Sequence, residues 1–132
     1  MKKILIICVV CILFIVVALN YFLGVVNIGK FETVTATYRY GNVDFHQKIT
    51  EEDAKEIYKI FNKKVMTKDI PSCGFSEDIS VMFDDSLTFC IARDTCPTVF
   101  LKEKGKCFSI SRKEQKRLLE ILSNYQFSFP CV

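Results

Sequence analysis

ISVMFDDSLTFCI, Ile79 to Ile91, sets Ile79, Val81 and Phe83 alternately with Ser80 and Met82. After the polar triplet Asp84-Asp85-Ser86 the pattern resumes with Leu87, Phe89 and Ile91. A period of two is the mark of a half-buried strand, and a short polar cluster between two such runs is a turn. Pairing across that turn puts all six apolar side chains on one face. Val99 and Leu101 extend the face, and a tight turn near Lys104-Gly105 brings Phe108 and Ile110 opposite them. The stretch therefore predicts four consecutive antiparallel strands with one apolar and one mixed face.

Upstream, TVTATYRYGNVDFHQKI alternates in the same way about Gly41-Asn42. Glycine at the first turn position suits a type II′ hairpin, because it accepts positive φ without strain. This register sets Tyr40 against Val43, Tyr38 against Phe45, and Arg39 against Asp44 as a cross-strand charge pair. Between the hairpin and the four strands lies TEEDAKEIYKIFNKKV. Thr50 is placed to cap, Glu51, Glu52 and Asp53 load the first turn, and Ala54, Ile57, Tyr58, Phe61 and Val65 form a stripe at helical spacing. At the other end, Ser111 and Glu114 have capping-box spacing ahead of the stripe Leu118, Ile121, Leu122 and Tyr125. The element order is β-β-α-β-β-β-β-α. An amphipathic sheet and two amphipathic helices must cover one another, which predicts an α+β two-layer sandwich with both helices on one face.

The chain opens with Lys2-Lys3 and an uncharged apolar run from Ile4 to Ile28. About 20 apolar residues cross the hydrocarbon core, whereas secretory signals carry shorter apolar cores. Length thus favours an uncleaved transmembrane anchor over residues 1–28, followed by one domain over 29–132, with cleavage near Ala18 and secretion as the alternative. Lys2 and Lys3 place the N-terminus in the cytoplasm and the domain outside, although Lys30 and Arg39 reduce the asymmetry. Removing Lys2 and Lys3 from the 18 basic residues leaves 16 against 15 acidic ones, a balance of +1. A nearly neutral domain makes no electrostatic case for binding nucleic acid.

Of the seven cysteines, Cys8 and Cys11 lie in the apolar run, and Cys73, Cys90, Cys96, Cys107 and Cys131 follow it. The outer five contain no C-x-x-C pair and His46 is the single histidine, so neither a zinc site nor a thioredoxin-like dithiol is expected. Strand alternation places the loop holding Cys73 at the same end of the sheet as the turn holding Cys96. In an oxidising compartment that predicts a Cys73–Cys96 disulfide, with Cys107–Cys131 as a second pairing. An odd count leaves at least one thiol unpaired.

His46 stands alone on a polar strand face. Glu77, Asp78, Asp84 and Asp85 fall at opposite strand ends, which rules out one calcium cage. No nucleophile elbow, metalloprotease helix or phosphate loop occurs, and nothing calls for a cofactor. On the mixed face, Met82, Thr88, Cys90 and Phe100 form a candidate contact surface for an unknown protein partner, or a surface covered by the chain's own tail or a loop. The expectation is a membrane-anchored extracytoplasmic binding domain without catalysis: an inhibitor, an immunity-type protein or an accessory protein. The alternative is a thiol-based redox protein using an unpaired cysteine such as Cys90 or Cys131.

Overall fold

Alternating segments become strands and segments of helical spacing become helices, in the order α1 (Lys2–Leu23), β1 (Val34–Tyr40), β2 (Val43–Lys48), α2 (Glu51–Phe61), β3 (Ile79–Phe83), β4 (Leu87–Ile91), β5 (Thr98–Leu101), β6 (Lys106–Ser109) and α3 (Arg112–Ser123). The computed structural model describes residues 1–129, the side chains of residues 21–23 excepted. The strands form one antiparallel sheet in the order β2-β1-β3-β4-β5-β6, an α+β fold. Arg39 faces Asp44, Val81 faces Phe89, and Val99 faces Phe108, the registers that alternation predicts. The hairpin joins the other four strands through β1 and β3, where Ala36 faces Val81 and Tyr38 faces Ile79.

Turn chemistry accounts for the strand ends. Gly41 takes φ 61, as the hairpin requires. Asp84 and Asp85 also have positive φ, 47 and 54, a conformation rarely held without glycine. The Asp84 carboxylate holds the turn in place by accepting the backbone N–H of Glu32 at 2.9 Å and of Thr33 at 2.8 Å. Those bonds, from Thr33 first and then Glu32, keep its carboxyl below the ordinary range.

Both helices start on their expected caps. The Thr50 hydroxyl accepts the Asp53 N–H, and Ser111 and Glu114 complete a reciprocal capping box. In α2, Ala54, Ile57, Ile60 and Phe61 are buried. Val65, expected on the same stripe, lies beyond the helix and is 52% exposed, and Ile60 supplies the missing contact. The helix stops because the chain turns through Lys63 at φ 62, and residues 63–66 zip onto residues 24–26. The Val26 N–H donates to the Lys64 carbonyl, the Lys63 N–H to the Val26 carbonyl, and the Met66 N–H to the Gly24 carbonyl.

The core lies between the helices and the apolar sheet face. Phe61 of α2 packs on Phe89 at 4.8 Å and on Phe108 at 5.6 Å between ring centroids. Leu118, Ile121 and Leu122 of α3 close the same layer. After α3, Phe127 packs on Tyr38 at 4.9 Å, and the Tyr38 hydroxyl donates to the Ser128 carbonyl.

The apolar N-terminal run divides in two. Lys2–Asn20, with mean hydropathy 2.9, is long and apolar enough to cross a membrane, and none of it is buried against the rest of the chain. The helix stops at Leu23, and Val26 (1% exposed) and Ile28 (8%) belong to the core of the domain. Residues 25–28, read from hydropathy as the end of an anchor, are thus part of the fold they introduce.

Two stability predictions follow from this packing. A chain beginning at Lys30 should be less stable than one beginning at Gly24 by about 3–5 kcal/mol, from two buried aliphatic side chains and their backbone pairing. Urea unfolding of the two forms measures the difference, and equal midpoints would refute it. The second concerns Glu114, which is bonded to Lys64 at 2.7 Å and to the Ser111 N–H at 2.8 Å. Burial pushes its carboxyl up, but Lys64 and Ser111 together hold it below the ordinary value of 4.5. Its contribution is therefore complete above the unfolded value and lost as pH falls through the depressed one. Glu114→Gln should cost about 1–2 kcal/mol at neutral pH. The gap from the parent should shrink as pH drops below 4.5, as read by thermal unfolding across a pH series.

Candidate functional site

The loop between β4 and β5 takes part in the one cluster of thiol and carboxylate ligand atoms found among the described residues. It folds on itself where the Asp94 carboxylate accepts the Cys96 N–H at 2.9 Å, an Asx-type turn. Arg112 of α3 steadies it by donating to the Thr95 carbonyl at 2.8 Å. From the other side, the segment between α2 and β3 delivers Cys73. The Cys73 and Cys96 sulfurs and an Asp94 oxygen lie within 4.8 Å of one another.

Both cysteines are free thiols, their sulfurs close enough to interact. The interaction with Cys96, followed by burial and the neighbouring Cys96 and Asp94 charges, pushes the Cys73 thiol up to about 11. Two chemistries fit such a cluster. Loss of two electrons and two protons would join the sulfurs, and deprotonation of both would give a soft cation two sulfur ligands and one oxygen. Three donors fall short of the closed four-ligand set of structural zinc, and Asp94 already serves the Cys96 N–H. The geometry favours sulfur–sulfur bonding. Local spacing revealed the two cysteines but not Asp94, whose role in the cluster depends on the fold of the loop; the motif Asp-x-Cys was its only trace.

The other expected residues are dispersed. Cys90 and Cys107 are buried under the second sheet face, 2% and 1% exposed. Burial, reinforced by Glu77 and Glu103, pushes the Cys90 thiol up to about 11, and burial also raises Cys107. Cys131, the expected partner of Cys107, lies outside the described residues. His46 is exposed, its Nδ1 2.8 Å from the Thr37 hydroxyl.

Of the two readings of the face carrying Met82, Thr88 and Phe100, an open contact surface or one covered by the tail or a loop, the structure fits the loop-covered one. Thr88 is buried, Met82 and Phe100 are half-buried, and Phe75 stacks on Phe100 at 5.6 Å. The loop before β3 lies over it, fastened by the ion pair of Glu77 with Lys102 at 2.6 Å and by the Ser80 hydroxyl donating to the Glu77 carbonyl. A loop covers this part of the face because an exposed Phe100 would leave aromatic surface in water.

Beside the thiols is a depression of about 320 Å³ walled by Arg39, Tyr40, Cys73, Asp78 and Arg93. The Arg93 guanidinium sits over the Tyr40 ring, 3.2 Å from its centre, a cation–π contact between the β4–β5 loop and the first hairpin. A larger groove of about 700 Å³ runs between residues 29–34 and α2, lined by Phe31, Ile49 and Tyr58 and by the charged Lys30, Lys48, Lys59 and Glu32, with Lys55 and Glu51 paired to each other. No protein-family model, curated protein or solved structure matches this chain.

After exposure to a thiol–disulfide exchange couple, digestion without reductant should link the peptides holding Cys73 and Cys96, while Cys90 and Cys107 resist alkylation until the protein unfolds. Closing that loop should raise stability by about 3 kcal/mol over the reduced form. Free alkylation of Cys96 in the folded, oxidised protein would overturn the pairing.

Proposed function

We propose that this protein is a membrane-tethered domain held outside the cytoplasm that acts by contact with a protein partner rather than by catalysis. One observation carries the reading: the core of the domain begins three residues beyond the end of an exposed apolar helix. Val26 is fully packed while Lys2–Asn20 touches nothing. With that helix in a bilayer, the domain is held at the surface and not at the end of a flexible linker, an arrangement suited to engaging a neighbour at fixed height. The groove between residues 29–34 and α2 is the contact surface of choice. Its aromatic walls, with Lys30, Lys48 and Lys59 outnumbering Glu32 once the Lys55–Glu51 pair is set aside, fit a partner segment with apolar and acidic side chains.

The rival reading, thiol redox chemistry, loses support at Cys90, which is buried and whose thiol that burial raises, while Cys131 lies outside the described residues. A nucleophilic thiol needs the opposite shift. Cysteines joined as Cys73–Cys96 would act as a staple, fastening the covering loop to the sheet.

A photocrosslinking residue at Tyr58, introduced into the full chain in intact cells, should give one discrete protein adduct in the membrane fraction. A reporter fused after Val132 that is active only outside should be active. A reporter facing the cytoplasm would overturn the topology. Mixed disulfides trapped at an exposed thiol, in place of the Tyr58 adduct, would move the assignment to redox chemistry.

A further inference from the structure

The chain crosses from α1 into the domain at the outer edge of the sheet. Thr67 pairs with Cys107 on the free side of β6, and Val65 pairs with Val25 on the far side of that segment. These pairings are antiparallel. With Val26 beside Lys64 and Gly24 beside Met66, the residues after Met66 run alongside the point where α1 departs. Lys68 follows Thr67 there, and Lys106 stands opposite it in the register, next to Cys107. Side-chain positions agree. A Cβ placed on Gly24 would lie 3.3 Å from the Met66 methyl and 3.4 Å from the Lys106 amine. The Lys106 ammonium therefore sits at the base of the apolar helix. Gly24 is also at φ 65, so the tight exit depends on glycine for both room and conformation.

Two further features fall on this edge and on the stretches that flank it in sequence. Val65 and Ile70 are 52% and 54% exposed, among the few large apolar side chains outside α1 that the described residues leave in water. Among the described residues, Lys68, Lys104 and Lys106 enter no ion pair, whereas Lys64 and Lys102 are matched by Glu114 and Glu77. Of the acidic residues in the same stretches, Asp69 is exposed beside Lys68, and the Glu103 carboxylate accepts the Thr88 N–H at 2.8 Å, which leaves three lysines against one exposed carboxylate. The edge thus presents apolar side chains with free lysines where a membrane helix would leave the bilayer. Lysines within a Debye length of an anionic leaflet are attracted to it, and aliphatic side chains beside them enter the interface.

We propose that this edge, Val65 and Ile70 with Lys68, Lys104 and Lys106, is a docking surface for anionic phospholipid headgroups and seats the domain on its own membrane. The inference rests on the reading of α1 as a membrane anchor. It orients the molecule, because the β1–β2 hairpin is at the opposite edge of the sheet and faces away from the lipid.

The chain contains no tryptophan, so V65W and, as a remote control, Y40W each give a single reporter. Each full-length variant is reconstituted into phosphatidylcholine vesicles with or without phosphatidylglycerol, and brominated lipid serves as quencher. The expected result is a blue-shifted, quenched V65W emission that strengthens with phosphatidylglycerol and weakens in high salt. Y40W should remain unquenched. Charge neutralisation (K68Q/K104Q/K106Q) and reversal (K68E/K104E/K106E) should weaken the V65W quenching in that order, with circular dichroism reporting that the fold is kept. V65W emission that stays unquenched while the protein floats with the vesicles would overturn the proposal and leave the anchor intact. Quenching indifferent to phosphatidylglycerol and to lysine charge would overturn the anionic recognition. A shift that depends on protein density in the vesicle would assign the edge to a second copy of the chain instead. Failure to float with vesicles of either composition would overturn the anchor reading itself.

Discussion

One face of a six-stranded sheet must be taken out of water, and two short helices must do it. Phe61 of α2, set among Phe89 and Phe108, is where the two layers engage, and α3 fills the remaining width with Leu118, Ile121 and Leu122. Burial of a large aromatic ring stabilises by a few kcal/mol, and neighbouring rings at these spacings add to it. Once both helices are committed to that face, the second face has to be covered by loops. That requirement draws the segment carrying Cys73 and Phe75 across β4 and β5, and the thiols meet as a result of the covering, not as a site built for its own sake.

The same economy explains the N-terminus. The free edge of β6 would otherwise present unpaired N–H and C=O groups, a template for unwanted pairing. Thr67 takes that edge, and residues 24–26 take the next. Edge protection and attachment of the apolar helix are therefore the same structural feature. The helix cannot be displaced from the domain without exposing Val26 and loosening the end of α2.

The thiols divide by environment. Cys90 and Cys107 are small packing groups whose ionisation is opposed by burial. Cys73 and Cys96 are the pair within bonding reach of modest motion, beside the Arg93–Tyr40 contact that clasps the β4–β5 loop to the first hairpin. The end of the sheet away from the β5–β6 turn thus gathers side chains from three segments far apart in sequence.

What the sequence determined by itself is whatever depends on neighbours a few residues apart. Alternation from Val34 to Tyr40 and from Ile79 to Ile91 set strands and registers, because successive side chains in a strand must point to opposite faces. Thr50 and the Ser111–Glu114 box set the helix starts, because a cap is a bond across three residues. Tertiary structure alone decided that β1 joins β3, that α2 ends at Phe61 and not Val65, that Val26 and Ile28 enter the core, and that a loop hides Phe100. Each of these turns on which distant segment arrives to satisfy a backbone edge or an apolar surface. Hydropathy cannot separate a valine bound for lipid from one bound for a protein core, since both leave water for the same reason.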